Sequence, residues 1–495
     1  MNSRKTVVTL LNQFLVFFVN LLTLKLTMSA LSPGDYGLYG YALSLTGLFM
    51  AFSELNLSGI FFKRIAEGED LQKHYSTYIT IRLILTGIAA AFYLLYSCID
   101  KAPVSSGHLA VFLTVLTYYF VDAMMLAVMG AYQSRREVRR TQSSNTLMAV
   151  ANLLFIAVFV APTGDVRLLA LALVFRPLVG LACLVRFTRG ELKVFRFSLD
   201  RAIVREYIRF ILPLLPMSVL GVIYDRIDGT LVTKFHSYQE TGYFTAASMF
   251  NTALLIPSTA IITLLYSSYS EEVKAGNYSR VQDISRRATK YLSLLVNPVA
   301  IFICFHAERF VLLAMSSDYL PTVPIVRIFM FQVILMSVSR TFDAIFMASE
   351  RLRLVSIMGI SLYLLGIALN YILIPEQLFG FRLFNLKAAG PACKALLVYS
   401  LYICMTGYLL RKIHRVMIYW RFLLHMVAAL AAGFAALTFN LPDNTLSSLT
   451  LCAAVYFCLY LLFLTILREL QRKDLEYFSS VICFWRDPAQ PRVLE

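Results

Sequence analysis

The sequence predicts an all-α polytopic membrane protein. Three observations carry that reading. Hydrophobic residues make up 59% of the 495 and charged residues only 15%. Apolar stretches long enough to cross a bilayer recur from end to end. Arginines and lysines gather at every second gap between those stretches, the pattern that orients a multi-span protein. Mean hydropathy is +0.69. A soluble chain of this length needs far more polar surface, and in lipid the backbone must satisfy its own hydrogen bonds.

About fourteen windows of ~20 apolar residues can be marked. They run 7–27, 38–62, 79–98, 109–132, 145–161, 167–187, 208–233, 242–267, 291–312, 325–348, 355–374, 388–410, 421–440 and 446–467. The first follows Arg4 and Lys5, as a signal peptide would. It is longer than a signal core of ~7–15 residues and carries Asn12, Gln13 and Asn20, so it is expected to stay as a span. The turn Pro162-Thr163-Gly164-Asp165 divides the fifth from the sixth. Pro213 and Pro216 in the seventh, Pro257 in the eighth and Asn297-Pro298 in the ninth predict bends.

Orientation follows from the basic residues. Lys63, Arg64 and Lys73, then Arg135, Arg136, Arg139 and Arg140, lie on one side. So do Arg189, Lys193, Arg196, Arg201 and Arg205, then Arg280, Arg286, Arg287 and Lys290, then Arg411, Lys412 and Arg415. The other side holds Lys101, Arg167, Lys234, Arg309, Arg382 and Lys387. The positive-inside rule puts the rich side and both termini in the cytoplasm of an inner membrane. The net charge of +16 lies in these short loops and not on a polar fold, so no nucleic-acid partner is expected. Most of the eight cysteines fall within apolar segments, with no CxxC pair, and the six histidines show no metal spacing. No metal or other cofactor is expected.

A short block repeats. Asp35-Tyr36-Gly37-Leu38-Tyr39 with Ala42 matches Glu240-Thr241-Gly242-Tyr243-Phe244 with Ala247, ahead of the second and the eighth stretch. At the same offset Ser53 meets Ser258, Glu67 meets Glu272 and Arg82 meets Arg287. A shift of six spans keeps orientation, so the expected architecture is two pseudo-symmetric six-helix lobes around a central cavity. The lobes cover 1–187 and 208–415, joined by a cytoplasmic linker at 188–207. Two further helices and a cytoplasmic tail occupy 416–495.

Charges inside the apolar stretches are costly, at ~2.5–3.5 kcal/mol each on insertion scales, and should face the protein interior. The basic set is Lys25, Arg82, Arg176, Arg226, Arg340 and Lys394; the acidic set is Glu54, Asp122, Asp225, Asp228 and Asp343. Lys25, Arg82 and Lys394 lie near span ends, where they either snorkel to the interface or face a cavity. Arg340 and Asp343 are three apart and can neutralise each other. Arg176, mid-span before Pro177, is the leading candidate for a cavity cation. The cations suit a phosphate-bearing substrate, since arginine forks match phosphate oxygens and stay protonated. The carboxylates are the candidates for ion coupling, with Asp225 first. Asn12, Gln13, Asn20, Tyr224, Asn251 and Asn370 offer hydrogen bonds to sugars, or pack helices.

The run Leu31-Ser32-Pro33-Gly34-Asp35-Tyr36-Gly37-Leu38-Tyr39, with its basic exit Lys63-Arg64-Ile65-Ala66-Glu67, resembles the polysaccharide transporters. These belong to the multidrug/oligosaccharidyl-lipid/polysaccharide exporter superfamily. Tyr224-Asp225-Arg226-Ile227-Asp228, followed by Thr241-Gly242-Tyr243-Phe244-Thr245-Ala246-Ala247, is similar to a second block of that family. The resemblance covers roughly the first 290 residues; beyond them it rests on span count. It implies a V-shaped pair of lobes around a cationic cavity. The implied activity is transfer of undecaprenyl-diphosphate-linked oligosaccharide from the inner to the outer leaflet. The implied partners are that lipid-linked oligosaccharide, membrane lipids, and the polysaccharide polymerase and chain-length regulator.

Other classes are less well served. No GxxxxGK[ST] loop occurs, against a nucleotide-driven pump. The outer loops are too short and acid-poor for a glycosyltransferase or polymerase site. A peptidoglycan-precursor (lipid II) flippase and a cation-coupled multidrug antiporter of the same superfamily remain alternatives, the antiporter calling for a more acidic cavity.

Overall fold

A computed structural model describes residues 3–99, 108–135, 137–188, 196–255, 268–349, 352–438 and 446–469, with single positions 258 and 265. Each of the fourteen apolar stretches is mostly helical over its described part. Among the described residues ten helices are long and apolar enough to cross a membrane, or eleven if one bent pair is a single span. Leu15–Ala30 and Phe422–Leu437 are shorter apolar helices. The eighth stretch is helical over Tyr238–Leu254, and its Pro257 lies outside the described residues.

The first half comprises α1 (Ser3–Ala30), α2 (Pro33–Glu54), α3 (Leu57–Ala66), α4 (Leu71–Ile99), α5 (Leu109–Ser134), α6 (Val138–Phe155) and α7 (Val166–Thr188). Together α2 and α3 form the second span. They are separated at Leu55 and Asn56, both in the left-handed region at φ 39° and 62°, where non-glycine residues are uncommon. A π-turn over Ile156–Val160 extends α6 toward the Gly164 turn.

The seventh stretch departs from its predicted 208–233 form. It is two helices, α8 (Arg201–Ile211) and α9 (Leu215–Phe235), bent by 69°. Pro213 and Pro216 explain the break, because each lacks the N–H that would continue the helix. The α8 helix buries Ile203, Tyr207 and Ile211 on one side, and Asp200 caps its start. The chain continues through α10 (Tyr238–Leu254), α11 (Tyr278–Phe305), α12 (Ala307–Ala314), α13 (Val323–Ala348) and α14 (Leu352–Leu373). It ends with α15 (Gly390–His414), α16 (Phe422–Leu437) and α17 (Leu446–Ile466). One two-residue hairpin, Gln377–Leu378 with Phe381–Arg382, departs from the all-helical expectation.

Packing repeats between the halves. In the first, α1 packs on α6, α5 on α7, α6 on α7 and α4 on α5. The counterparts α9 on α14, α13 on α15, α14 on α15 and α11 on α13 recur in the second. The repeated sequence block has matching local chemistry. Ser32 caps α2 by accepting from the Asp35 N–H at 3.2 Å, and Ser237 caps α10 by accepting from the Glu240 N–H at 3.2 Å. Helix α2 packs against both α9 and α10, which joins the halves.

The last helices are tied to α11. Asn297 donates to the Phe422 carbonyl at 3.0 Å, Ser293 bonds His425 at 2.6 Å, and Tyr456 donates to the Pro298 carbonyl at 3.0 Å. Asn297 and Pro298 thus sit inside a continuous, buried helix as an anchoring point.

Candidate substrate cavity

A cavity of about 970 Å³ lies between the halves. Helices α1, α2, α6 and α7 of the first half line it, with α10 and α13 of the second. Its charged lining, among the described residues, is Arg176 from α7 and Arg340 from α13, with no carboxylate. Arg176 is fixed by local packing. One turn beyond it, a Cβ on Gly180 would lie 2.3 Å from the Met148 sulfur, so α7 sits close on α6 there. Ser144 donates to the Gly180 carbonyl at 3.3 Å across the same contact. Pro177, the next residue after Arg176, is buried in the helix.

The other predicted cations are placed elsewhere. Lys25 is exposed and outside the cavity lining. Arg226 lies on the seam, where a Cβ on Gly47 would stand 3.1 Å from its Cδ. Arg82 and Lys394 do not snorkel. They are buried, 6% and 1% exposed, and each meets a carboxylate inside its own half. Arg82 pairs with Glu54 at 2.8 Å and donates to the Tyr78 hydroxyl at 2.6 Å. Lys394 donates to both Asp228 oxygens at 2.8 Å, stands 4.0 Å over the Tyr224 ring, and shares Asp228 with Asn370 at 2.7 Å.

The carboxylates divide likewise. Glu54 accepts from Ser58 as well as pairing with Arg82. Asp343 accepts from the Tyr402 hydroxyl, and the described residues show no ion pair between Asp343 and Arg340. The arginine lines the central cavity instead. Asp343 lines a separate 280 Å³ cavity within the second half, walled by Tyr224, Tyr363, Tyr399 and Tyr402. Asp122 lies within electrostatic range of Arg82 and Arg176. Asp225 is exposed on α9 and has no ion pair among the described residues.

Of the predicted polar residues, Asn20 lines the central cavity. Asn12 is bonded to Gln142 at 2.6 Å, Asn251 lies outside the lining, and the Gln13 side chain is outside the described residues. Sequence reasoning missed Gln142, Asn145, Asn152 and Thr252, all in the lining. The seven-residue interval from Asn145 to Asn152 on one predicted helix was the available signal. No group of three or more His, Cys, Asp or Glu side chains able to hold a metal occurs among the described residues.

The family model described as "Polysaccharide biosynthesis protein" matches residues 30–324, more than half of the chain. The chain belongs to the polysaccharide biosynthesis protein family. Its fold is that of solved transporters of the MOP superfamily. The solved structure described as lipid II flippase MurJ in an inward closed conformation superposes with a TM-score of 0.74 at 13% identity, covering 94% of this chain and 99% of that one. An inward-facing multidrug resistance MATE transporter gives 0.62 at 15% identity, over 80% of this chain and 96% of that one. A MOP superfamily transporter from Pyrococcus furiosus, described by the reverse polarity of its binding pocket, gives 0.54 at 15% identity, over 81% and 94%. At these identities the likeness is one of fold. No curated protein matches the chain at a significant level.

Proposed function

We propose that the protein carries polyprenyl-diphosphate-linked oligosaccharide, in bacteria undecaprenyl diphosphate, from the inner to the outer leaflet for polysaccharide assembly. One observation carries the reading: a central cavity whose charged lining, among the described residues, is one arginine from each half and no acid. A diphosphate is a multiply charged anion, and two guanidinium forks facing a cavity complement it. The volume of about 970 Å³ holds a head group of a few sugar rings. The acid-free lining weighs against a cation antiporter.

The helices fit this task as fourteen spans in two six-helix lobes plus a C-terminal pair, with both termini cytoplasmic by the positive-inside rule. That orientation puts the α2–α10 seam at the outer side and the cavity below it, an inward-facing state of an alternating-access cycle. Asp225, exposed and with no ion pair among the described residues, is the first candidate for a carboxylate that changes charge between states. A lipid II carrier shares the diphosphate chemistry; membership of the polysaccharide biosynthesis protein family favours the polysaccharide substrate.

The test is export in cells lacking the protein. Wild type should restore surface polymer, Arg176→Ala and Arg340→Ala should not, and Arg176→Lys should restore part. Normal polymer from both alanine variants at wild-type protein level would overturn the reading. So would rescue of a lipid II flippase defect with no effect on polymer.

A further inference from the structure

The wall formed by α1 and α6 differs chemically from the arginine end. Asn20 of α1 and Gln142, Asn145 and Asn152 of α6 all face the cavity. Asn145 and Asn152 are seven residues apart, two helical turns, so they stand above one another on a single face. Gln142 holds one end of this row. Its side-chain oxygen accepts from Asn12 at 2.6 Å, and Asn12 in turn accepts from Thr146. The contact ties α1 to α6 and fixes the spacing between their amides. The Asn20, Asn145 and Asn152 side chains have no hydrogen-bond partner among the described residues, although Asn145 and Asn152 are half-buried. Each carboxamide offers two donors and an acceptor. Half-buried amides in a protein wall require a partner, and here only water or a ligand can supply it.

We propose that this amide row is a glycan subsite for uncharged sugar hydroxyl and acetamido groups. It deepens the transport reading above and rests on it. Neighbouring hydroxyls on a sugar ring donate and accept at once, as carboxamides do. A charged row would select an ionic sugar, whereas the described residues of this wall's lining include no acid and no lysine. Phe17 and Ile156 beside the amides supply apolar surface for the C–H faces of the rings. Among the described residues the opposite wall offers Thr252 and Arg340 as hydrogen-bonding side chains. The sugars therefore lie along the first half, while the diphosphate sits between the two arginines.

Binding to the full-length protein in nanodiscs tests this with two probes. One is bare undecaprenyl diphosphate. The other is the undecaprenyl-diphosphate glycan extracted from cells that lack this protein. The double variant Asn145→Leu/Asn152→Leu should bind the glycan lipid at least tenfold more weakly and the bare lipid as wild type does. Arg176→Ala should weaken both. Retained bare-lipid binding shows that the double variant is folded. If it loses both probes, the single Asn152→Ser variant decides by the same selectivity. Equal weakening of the two probes by Asn152→Ser, or no weakening of either by the double variant, overturns the subsite. A wild-type protein that binds neither probe overturns the transport reading, and the subsite with it.

Discussion

The backbones of Gly37 and Gly242 touch. A Cβ on Gly37 would lie 1.6 Å from the Tyr238 carbonyl oxygen and 2.7 Å from the Gly242 nitrogen. A Cβ on Gly242 would lie 1.9 Å from the Pro33 carbonyl oxygen and 3.2 Å from the Gly37 nitrogen. These are the central glycines of the repeated acidic-x-Gly-x-aromatic block. The two copies of the block meet each other, with serine-capped helix starts on either side. Neither glycine needs its freedom at positive φ. Each is required because backbone occupies the space a side chain would take.

The first prediction concerns this seam. Gly37→Ala and Gly242→Ala should each hold α2 and α10 apart. Spin labels on cysteines introduced at Ser32 and Gln239 should report a longer distance than in wild type, and polymer export should fall at least tenfold. An unchanged distance with normal export would show that the contact is not a closing surface.

The buried pair in the second half gives a second prediction. Lys394 is 1% exposed and holds Asp228 through two 2.8 Å contacts. Lys394→Ala leaves a carboxylate without its cation in a buried site and should cost about 3–5 kcal/mol. Lys394→Met with Asp228→Asn removes both charges and should recover most of that loss. Melting temperatures in detergent check the order, which is wild type near the double variant and both well above Lys394→Ala. A single variant as stable as wild type would mean that the pair carries no stability.

A third prediction is a pH dependence at the linker. The bond from Lys73 at 3.0 Å, aided by the Ala202 and Ile203 N–H groups, holds the Asp200 carboxyl below its ordinary value. A depressed folded-state value means that the contribution is present above the unfolded value near ~3.9 and is lost as pH falls through the folded one. Hydrogen exchange over 201–211 should therefore be protected equally from pH 8 to 5, with protection lost only below about pH 4. Asp200→Ala should remove that protection at every pH, through loss of the cap. Release of the helix between pH 7 and 5 would show that another group controls docking.

Much of the helical plan was legible because span length and loop charge are properties of single stretches. The block around Gly37 was legible as a repeat, yet its meaning was not: nothing in either copy says that the other lies against it. The predicted bend at Pro213 and Pro216 is present, but the 69° break makes Arg201–Ile211 a separate helix with one buried side, which an apolar window cannot resolve. The charged residues divide by partner, and partners come from other helices. Lys394 and Asp228 are 166 positions apart, whereas the adjacent candidates Arg340 and Asp343 turn to different cavities. Arg176 was legible because a mid-span arginine has few alternatives. Asn145 and Asn152 were not, because an asparagine in a span is ordinarily a packing residue until the wall it faces is known.

Coupling is the last prediction. Among the acidic candidates Glu54 is paired with Arg82, Asp228 with Lys394, and Asp343 accepts from Tyr402. Asp225 and Asp122 have no ion pair among the described residues. Of the two, Asp225 lies near the middle of α9, the helix that follows the 69° bend and packs against α2 across the seam. Motion of one half against the other changes its surroundings, and Arg226 beside it carries the only adjacent charge in sequence. Asp225→Asn keeps the shape and removes the titration. In proteoliposomes with an inward proton gradient, wild type should flip lipid-linked oligosaccharide faster than without the gradient. The Asn variant should run at one rate in both conditions. Full gradient dependence in the variant would exclude Asp225 as the coupling group. Absence of any gradient effect in wild type would leave removal of the flipped product as the driving force.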